Sequence, residues 1–240
     1  MQDEIIKHTK KIYKTAKEPK HSLTEKLKEI SIEIFIIVFA VSLSIWLHGW
    51  SEHRHEQQEV REFLEDLKVD LEKDVKDLEQ QNSYLGNTSK GCKFYGDLNQ
   101  KKIDSLAKVD PNERIKMNLN PIFKIRNTGN YEGFRSSGKI GLIKDRKLKT
   151  GILEYYQTTV PAKDDWQAYY NSLVFKLADE LVAIPDVNTN PDIIYKAINA
   201  SPKIKGILSN AASQADMIIQ LNKNVIKSAK EIIKEIEHDS

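Results

Sequence analysis

A single cysteine, Cys92, stands among the 240 residues, which excludes an internal disulfide and any metal site built from several thiolates. Charge of one sign is not in surplus either. Lys+Arg number 37 against Asp+Glu 35, a net of +2, interspersed along most of the chain, so the basic stripe that a phosphate backbone requires is missing and no nucleic-acid partner is expected. Histidine is absent from the whole stretch between His55 and His238. No G-x-S-x-G elbow is present, so a serine nucleophile would lack both its strained turn and a nearby imidazole base. No catalysis and no cofactor are expected from these residues. Glycine and proline are missing from Ser51 to Gln81, where good helix formers dominate, and that composition predicts a long helix.

Long hydrophobic runs are also scarce, with one exception. Ile34 to Leu47, IFIIVFAVSLSIWL, carries no charge, and including Ile32 and Trp50 extends it to nineteen positions with Glu33 near one end. Fourteen apolar residues alone would suit a buried core helix. Trp46 and Trp50 sit where an aromatic belt belongs, and the Ile, Val, Leu and Phe residues favour insertion by about 5 kcal/mol before Ser and Glu33 are set against it. Residues 32–50 are therefore expected to be a transmembrane helix, with the lipid bilayer as a partner. Residues 1–31 hold eight lysines, whereas Ser51 to Lys68 holds only Arg54, Arg61 and Lys68. The positive-inside rule then leaves a basic tail, 1–31, in the cytoplasm and the body in the periplasm, anchored in the bacterial inner membrane. A cleaved signal peptide is the rival, but some thirty polar residues precede the run and no small-x-small site follows it.

The body is expected to be all-α, an antiparallel helical bundle built on a stalk helix, 51–110, that continues the membrane helix. Leu64, Leu71, Leu78, Leu85 and Cys92 recur every seven residues, a seam that seeks a partner. The companion seam, Val60, Leu67, Asp74, Gln81 and Thr88, turns polar and can meet water. Stepped backwards it passes through Gln57, His53, Trp50 and Trp46, in phase with the membrane segment. Gly86, Gly91 and Gly96 each cost about 1 kcal/mol in a helix interior, so a kink or fraying is expected there, before the Leu98, Ile103, Leu106 segment ends at Asp110-Pro111. Residues 111–143 read as a turn-rich connector: Asn118 to Tyr131, with Pro121 and Gly129, suits a loop, or alternatively a short strand.

From 144 to 240 the pattern predicts the partner helices. One opens at Lys144 or Asp145, is interrupted at Pro161, and resumes under an Asp164 cap to Ile184. Pro185, Pro191 and Pro202 punctuate a connector with a short helix, Asp192 to Asn199. The last segment is the most regular: Ile204, Leu208, Ala211, Ala215, Ile218, Asn222, Val225, Ala229, Ile232 and Ile236 alternate spacings of four and three, and Ile207, Ile219, Leu221, Ile226 and Ile233 widen the stripe to bundle width. Asn222, the one polar seam residue, either fixes the register by demanding partners or sits at a wet edge.

Tyr131 to Tyr156, YEGFRSSGKIGLIKDRKLKTGILEYY, resembles the central signature of a family of uncharacterised membrane proteins of Bacteroidota-type bacteria. In that family a transmembrane helix precedes a charged helix with an FLxxLxxDL pattern, then a tyrosine, a Leu-x-x-Ser-Gly turn, a Leu-Ile pair and a Tyr-Tyr pair. Phe63-Leu64, Leu67, Asp70-Leu71, Tyr131, Ser137-Gly138, Leu142-Ile143 and Tyr155-Tyr156 match here, with Phe134 in place of Leu. The resemblance covers roughly Ile32 to Tyr156 and implies architecture and compartment, with no activity.

Four groups invite a chemical reading. His48, Glu52 and His55 share a helix face and could hold a metal, against the plainer reading of solvated interfacial side chains. Ser136, Ser137 and Gly138 could bind an anion, or simply form a turn that lets two elements cross closely. Tyr155, Tyr156, Trp166, Tyr169 and Tyr170 could line a ligand site, though such a stripe is more often bundle core. Cys92, on the leucine seam, reads as a small buried hydrophobe. The functions compatible with all this are a structural or interaction protein, pairing with a second copy or another envelope protein, and, as the alternative, a ligand-sensing bundle.

Overall fold

A computed structural model of the chain describes residues 2–17, 23–110, 112–185 and 191–239. Pro111 and the connector residues 186–190 lie outside the described residues. The chain divides into two compact units, Met1–Glu59 and Val60–Ser240, and no strand occurs among the described residues. The helices are α1 (Gln2–Lys17), α2 (Leu23–Gly96), α3 (Gln100–Leu106), α4 (Gly129–Ser136), α5 (Arg146–Glu154), α6 (Val160–Val182), α7 (Pro191–Ala200) and α8 (Pro202–Asp239). A 3-10 turn occupies Lys139–Leu142 and a π-helical turn Tyr155–Thr159.

The first unit holds α1 and residues 23–59 of α2. Its apolar run is long and apolar enough to cross a membrane, and only 6% of its most apolar window is buried. Phe35 and Ile45 are 69% and 68% exposed. Glu33, at the edge of the run, is instead buried and pairs with Lys11 of α1 at 2.5 Å. An ammonium at that distance compensates the lost hydration of the carboxylate.

The second unit is a bundle in which both stripes read from the sequence are inside. Leu64, Leu71, Leu78, Leu85 and Cys92 of α2 are buried, as are all ten seam positions of α8. Lys68–Glu237 (2.6 Å), Lys230–Glu79 (3.0 Å) and Lys93–Asp216 (2.6 Å) tie the two together. Numbers that rise along α2 fall along α8, so the pair is antiparallel. Glu180–Lys203 and Tyr169–Asn210 set α6 antiparallel to α8 in the same way. At one end α3 and α7 close the core, where Tyr95, Leu98, Ile103, Leu106 and Ile198 meet Leu173, Leu177 and Leu208.

Asn222 is fully buried and donates to Gln81 Oε1 (3.1 Å) and Asn82 Oδ1 (2.9 Å). Of its two sequence readings the structure selects the interior one. Asn222→Leu, which improves the apolar stripe, is nevertheless expected to destabilise the protein by about 1–2 kcal/mol, because it strands the buried Gln81 acceptor and the half-buried Asn82 one. Urea unfolding of the detergent-solubilised chain measures this; unchanged stability and oligomeric state would remove the register role.

Four expectations need correction. The companion seam does not meet water: Asp74 and Thr88 are fully buried and Gln81 nearly so. The glycines do not break α2, which runs as one helix of 74 residues to Gly96. The connector is less irregular than its turn signals suggest, since α4 and the 3-10 turn lie within it. Pro161 does not interrupt the next helix, because α5 passes into α6 through the π turn. At a π-to-α change the hydrogen-bond ladder restarts, so a proline in the first turn of α6 forfeits no bond. Asp164 is accordingly no cap but a buried side chain.

Candidate functional site

The polar seam of α2 faces an extended strap, residues 115–127, which carries no regular secondary structure. Its conformation follows from distance. Between the contacts at Tyr95 and Asp74 the strap must travel back along about 30 Å of helix, and it does so with the twelve residue steps from Ile115 to Asn127. A second helix of that length would cover about 18 Å; only extended backbone reaches.

An extended chain packed on a bundle leaves peptide groups that need partners, and side chains from both flanking helices supply them. From α2, the Tyr95 hydroxyl donates to Ile115 O at 2.5 Å and Thr88 Oγ1 to Asn118 O at 2.7 Å. The Tyr84 hydroxyl accepts from Asn120 N at 2.9 Å, and Gln81 Nε2 donates to Phe123 O at 3.2 Å. From the other side, Asn171 pairs with both the N–H and the carbonyl of Ile122 at 2.9 Å each, imitating a neighbouring strand. Gln167 Nε2 donates to the same carbonyl at 2.9 Å, and the Tyr156 hydroxyl to Asn127 O at 3.0 Å.

Ionisable groups collect where the strap ends. Asp74 accepts from Asn127 N (3.0 Å), Asn127 Nδ2 (2.6 Å) and the Tyr155 hydroxyl (3.0 Å). Burial pushes its carboxyl above the ordinary aspartate range, although the Asn127 and Tyr155 hydrogen bonds oppose the shift. Burial likewise raises Tyr155 and Tyr156, so both phenols stay neutral donors. Lys163 is fully buried, and desolvation lowers its ammonium against the opposing pull of Asp164 at 3.3 Å. Asp164 also faces Arg126 (3.3 Å) and Lys124 (3.6 Å) of the strap. Perturbed groups in a cluster can mark a catalytic centre, but here each one grips the strap or its neighbour. The arrangement fastens chain to chain.

The residues singled out from sequence separate accordingly. Tyr155, Tyr156 and Tyr170 are buried, while Trp166 and Tyr169 are 40% and 43% exposed. Tyr131 stacks on Tyr156 at 4.1 Å and Phe134 on Phe63 at 3.9 Å, so the two halves of the signature meet in one core. Ser136 and Ser137 donate to the carbonyls of Gly133 and Phe134 in their own helix. Gly138 has φ +77° and nothing within 4 Å of where a Cβ would sit; it is the left-handed stop of α4, needed for its dihedral and not for a close crossing. His48, Glu52 and His55 are exposed, and among the described residues no three His, Cys, Asp or Glu side chains converge on a metal position. Asp145 caps α5 by accepting from Leu148 N at 2.8 Å.

Cys92 is buried, and burial pushes its thiol up to about 12. Native protein at pH 8 is expected to resist a thiol reagent that labels the denatured chain at once. The same shift makes stability fall as pH climbs above the ordinary thiol range, since the unfolded chain then loses a proton that the folded one keeps.

Sequence reasoning missed the roles of Asp74, Lys163, Asp164, Gln167 and Asn171. The available signal was the run of polar residues at heptad positions in α2, which marks a helix face packed on backbone as readily as one facing water. A family model described as a family of unknown function (DUF6090) matches residues 33–176, from the start of the apolar run through the strap and most of α6. No curated protein and no solved structure matches the chain.

Proposed function

The chain belongs to a family of unknown function (DUF6090), and we propose that it is a membrane-anchored, extracytoplasmic helical protein with a structural or protein-interaction role and no catalysis of its own. The observation that carries this is the contrast between two apolar surfaces. The seams of the second unit are consumed inside it, whereas the run from Ile34 to Leu47 has 6% of its most apolar window buried. Lipid is the cover that such a run requires. The eight lysines before it support a cytoplasmic N-terminus. The buried Asp74, Tyr155, Tyr156 and Lys163, the groups best suited to acid–base work, are bound to the strap and to each other, which favours a rigid support over a reaction site.

Two measurements test it. Protease added to the outside of sealed spheroplasts should remove the chain after Trp50 and spare the N-terminal tail; protection of the body would reverse the topology. Chemical cross-linking in the native membrane should capture a specific protein, either a second copy or another envelope protein. Thermal stabilisation by a small molecule with no protein adduct would favour the ligand-sensing alternative.

A further inference from the structure

The first helix, α1, carries two unlike faces. Ile5 to Lys17 holds five lysines and no Asp or Glu. At helical spacing Lys7, Lys10 and Lys14 fall on one stripe and Ile6, Thr9 and Tyr13 on another, about a third of a turn round the axis. Ile6 and Tyr13 are 51% and 65% exposed. A third side meets α2: Lys11 reaches Glu33 at 2.5 Å, and Ile12 beside it is half-buried. The basic stripe therefore lies to one side of that contact and the apolar stripe to the other. Lysines alone would make a solvated face, but Ile6 and Tyr13 beside them call for an apolar cover.

The contact with α2 says where that cover is. Glu33 stands at the start of the apolar run, so its ion pair with Lys11 holds the middle of α1 at the level where α2 would enter hydrocarbon. Standing upright and antiparallel to α2, α1 would carry Lys7 and Lys10 past Glu33 into the acyl chains, which is too costly for ammonium groups. Laid across α2 in the plane of the interface, it turns the Ile6–Tyr13 stripe to the acyl boundary and the lysine stripe to the headgroups. A helix of low overall hydropathy with a lysine-rich face beside an apolar one suits that position. Long lysine stems let the ammonium groups reach phosphate oxygens while the backbone stays at the boundary. The complementary surface is an anionic one.

We propose that α1 lies in the plane of the cytoplasmic leaflet, with Ile6 and Tyr13 in the acyl boundary and Lys7, Lys10 and Lys14 on the phosphates of anionic phospholipids. This rests on the membrane-anchored reading given above and adds a second contact with the same bilayer.

The test uses the full chain reconstituted in symmetric vesicles, where either direction of insertion offers α1 the same leaflet. A polarity-sensitive NBD fluorophore on Tyr13→Cys reports immersion, and the parent chain, whose Cys92 is buried, is the labelling control. Emission should be at least twofold brighter in vesicles containing phosphatidylglycerol than in pure phosphatidylcholine, and doxyl groups placed shallow in the acyl chains should quench it. Replacing Lys7, Lys10 and Lys14 together by Gln, or Ile6→Asp alone, should lower it to the phosphatidylcholine level. The same label on Val69→Cys, at a position 64% exposed in the second unit, should not respond to the lipid. Equal emission in the two lipids, a label that shallow doxyl groups leave unquenched, or a triple lysine variant that behaves as wild type overturns the proposal. If the chain then still stays with the vesicles through carbonate extraction, the membrane anchor stands and only the α1 surface falls. Release by carbonate would refute the anchor itself and this proposal with it.

Discussion

Asp74→Ala is expected to lower the unfolding free energy by about 3–5 kcal/mol, the largest effect of any single polar substitution in the bundle. The carboxylate is the acceptor for the Asn127 N–H, the Asn127 side-chain amide and the Tyr155 hydroxyl. Alanine strands the buried Tyr155 hydroxyl and the two half-buried Asn127 donors, each at about 1–3 kcal/mol, with part recovered where water reaches Asn127. Asp74→Asn keeps an oxygen for Asn127 and can donate to the Tyr155 oxygen, so its cost should be only about 1 kcal/mol. The two variants also differ in what they say about charge. Because the folded carboxyl sits above its unfolded value, the folded state binds more protons in the window between the ordinary aspartate range and that raised value. Stability contributed by Asp74 is thus present at low pH and declines as pH rises through the window. Asp74→Asn should flatten that slope. Urea denaturation of the solubilised chain at several pH values, followed by circular dichroism, measures both effects; an equal loss for Ala and Asn would show that the strap does not depend on these hydrogen bonds.

Gly91→Ala is expected to destabilise by about 2 kcal/mol, although alanine is the better helix former. A Cβ at Gly91 would lie 2.6 Å from the Lys116 carbonyl oxygen. That atom is backbone, and the strap on either side of it is tied down by Tyr95 and Thr88, so it cannot give way without breaking those bonds. Overpacking of this kind costs about 1–3 kcal/mol. The control is Gly86→Ala, five residues earlier on the same helix with nothing within 4 Å, which should instead stabilise by about 0.5–1 kcal/mol through helix propensity. Thermal melts of the two variants in parallel decide the point: two shifts of the same sign would refute the close approach of strap to helix.

These two sites mark the boundary of what the sequence makes legible. The long stripe of α8 and the leucine seam of α2 were legible because a 3.6-residue period is local and repeats over many turns, so each residue corroborates its neighbours. The start of α5 near Asp145 was legible for the same reason, since a cap acts three residues away, although the sequence reading placed its cap at Asp164 instead. The Tyr155-Tyr156 pair was legible as a signature, but its partner Asp74 was not, because the two are 81 residues apart. Pro161 and Asp164 were misjudged because a helix start and a π turn place proline and aspartate at similar local positions, and the strap residues Arg126 and Lys124, remote in sequence, share with Lys163 in giving Asp164 its role.

By itself the sequence determined that the chain is helical, that one run is apolar enough for a membrane, and which stripes of α2 and α8 seek a core. Periodicity and local capping carry that information residue by residue. Only the tertiary structure decided that the polar seam faces inward, that Gly91 is required by a crossing backbone, and that Phe123 stands exposed on a fastened strap. An extended segment makes no repeating pattern of its own: its conformation is dictated by the distance it must span and by side chains, remote in sequence, that complete its hydrogen bonds.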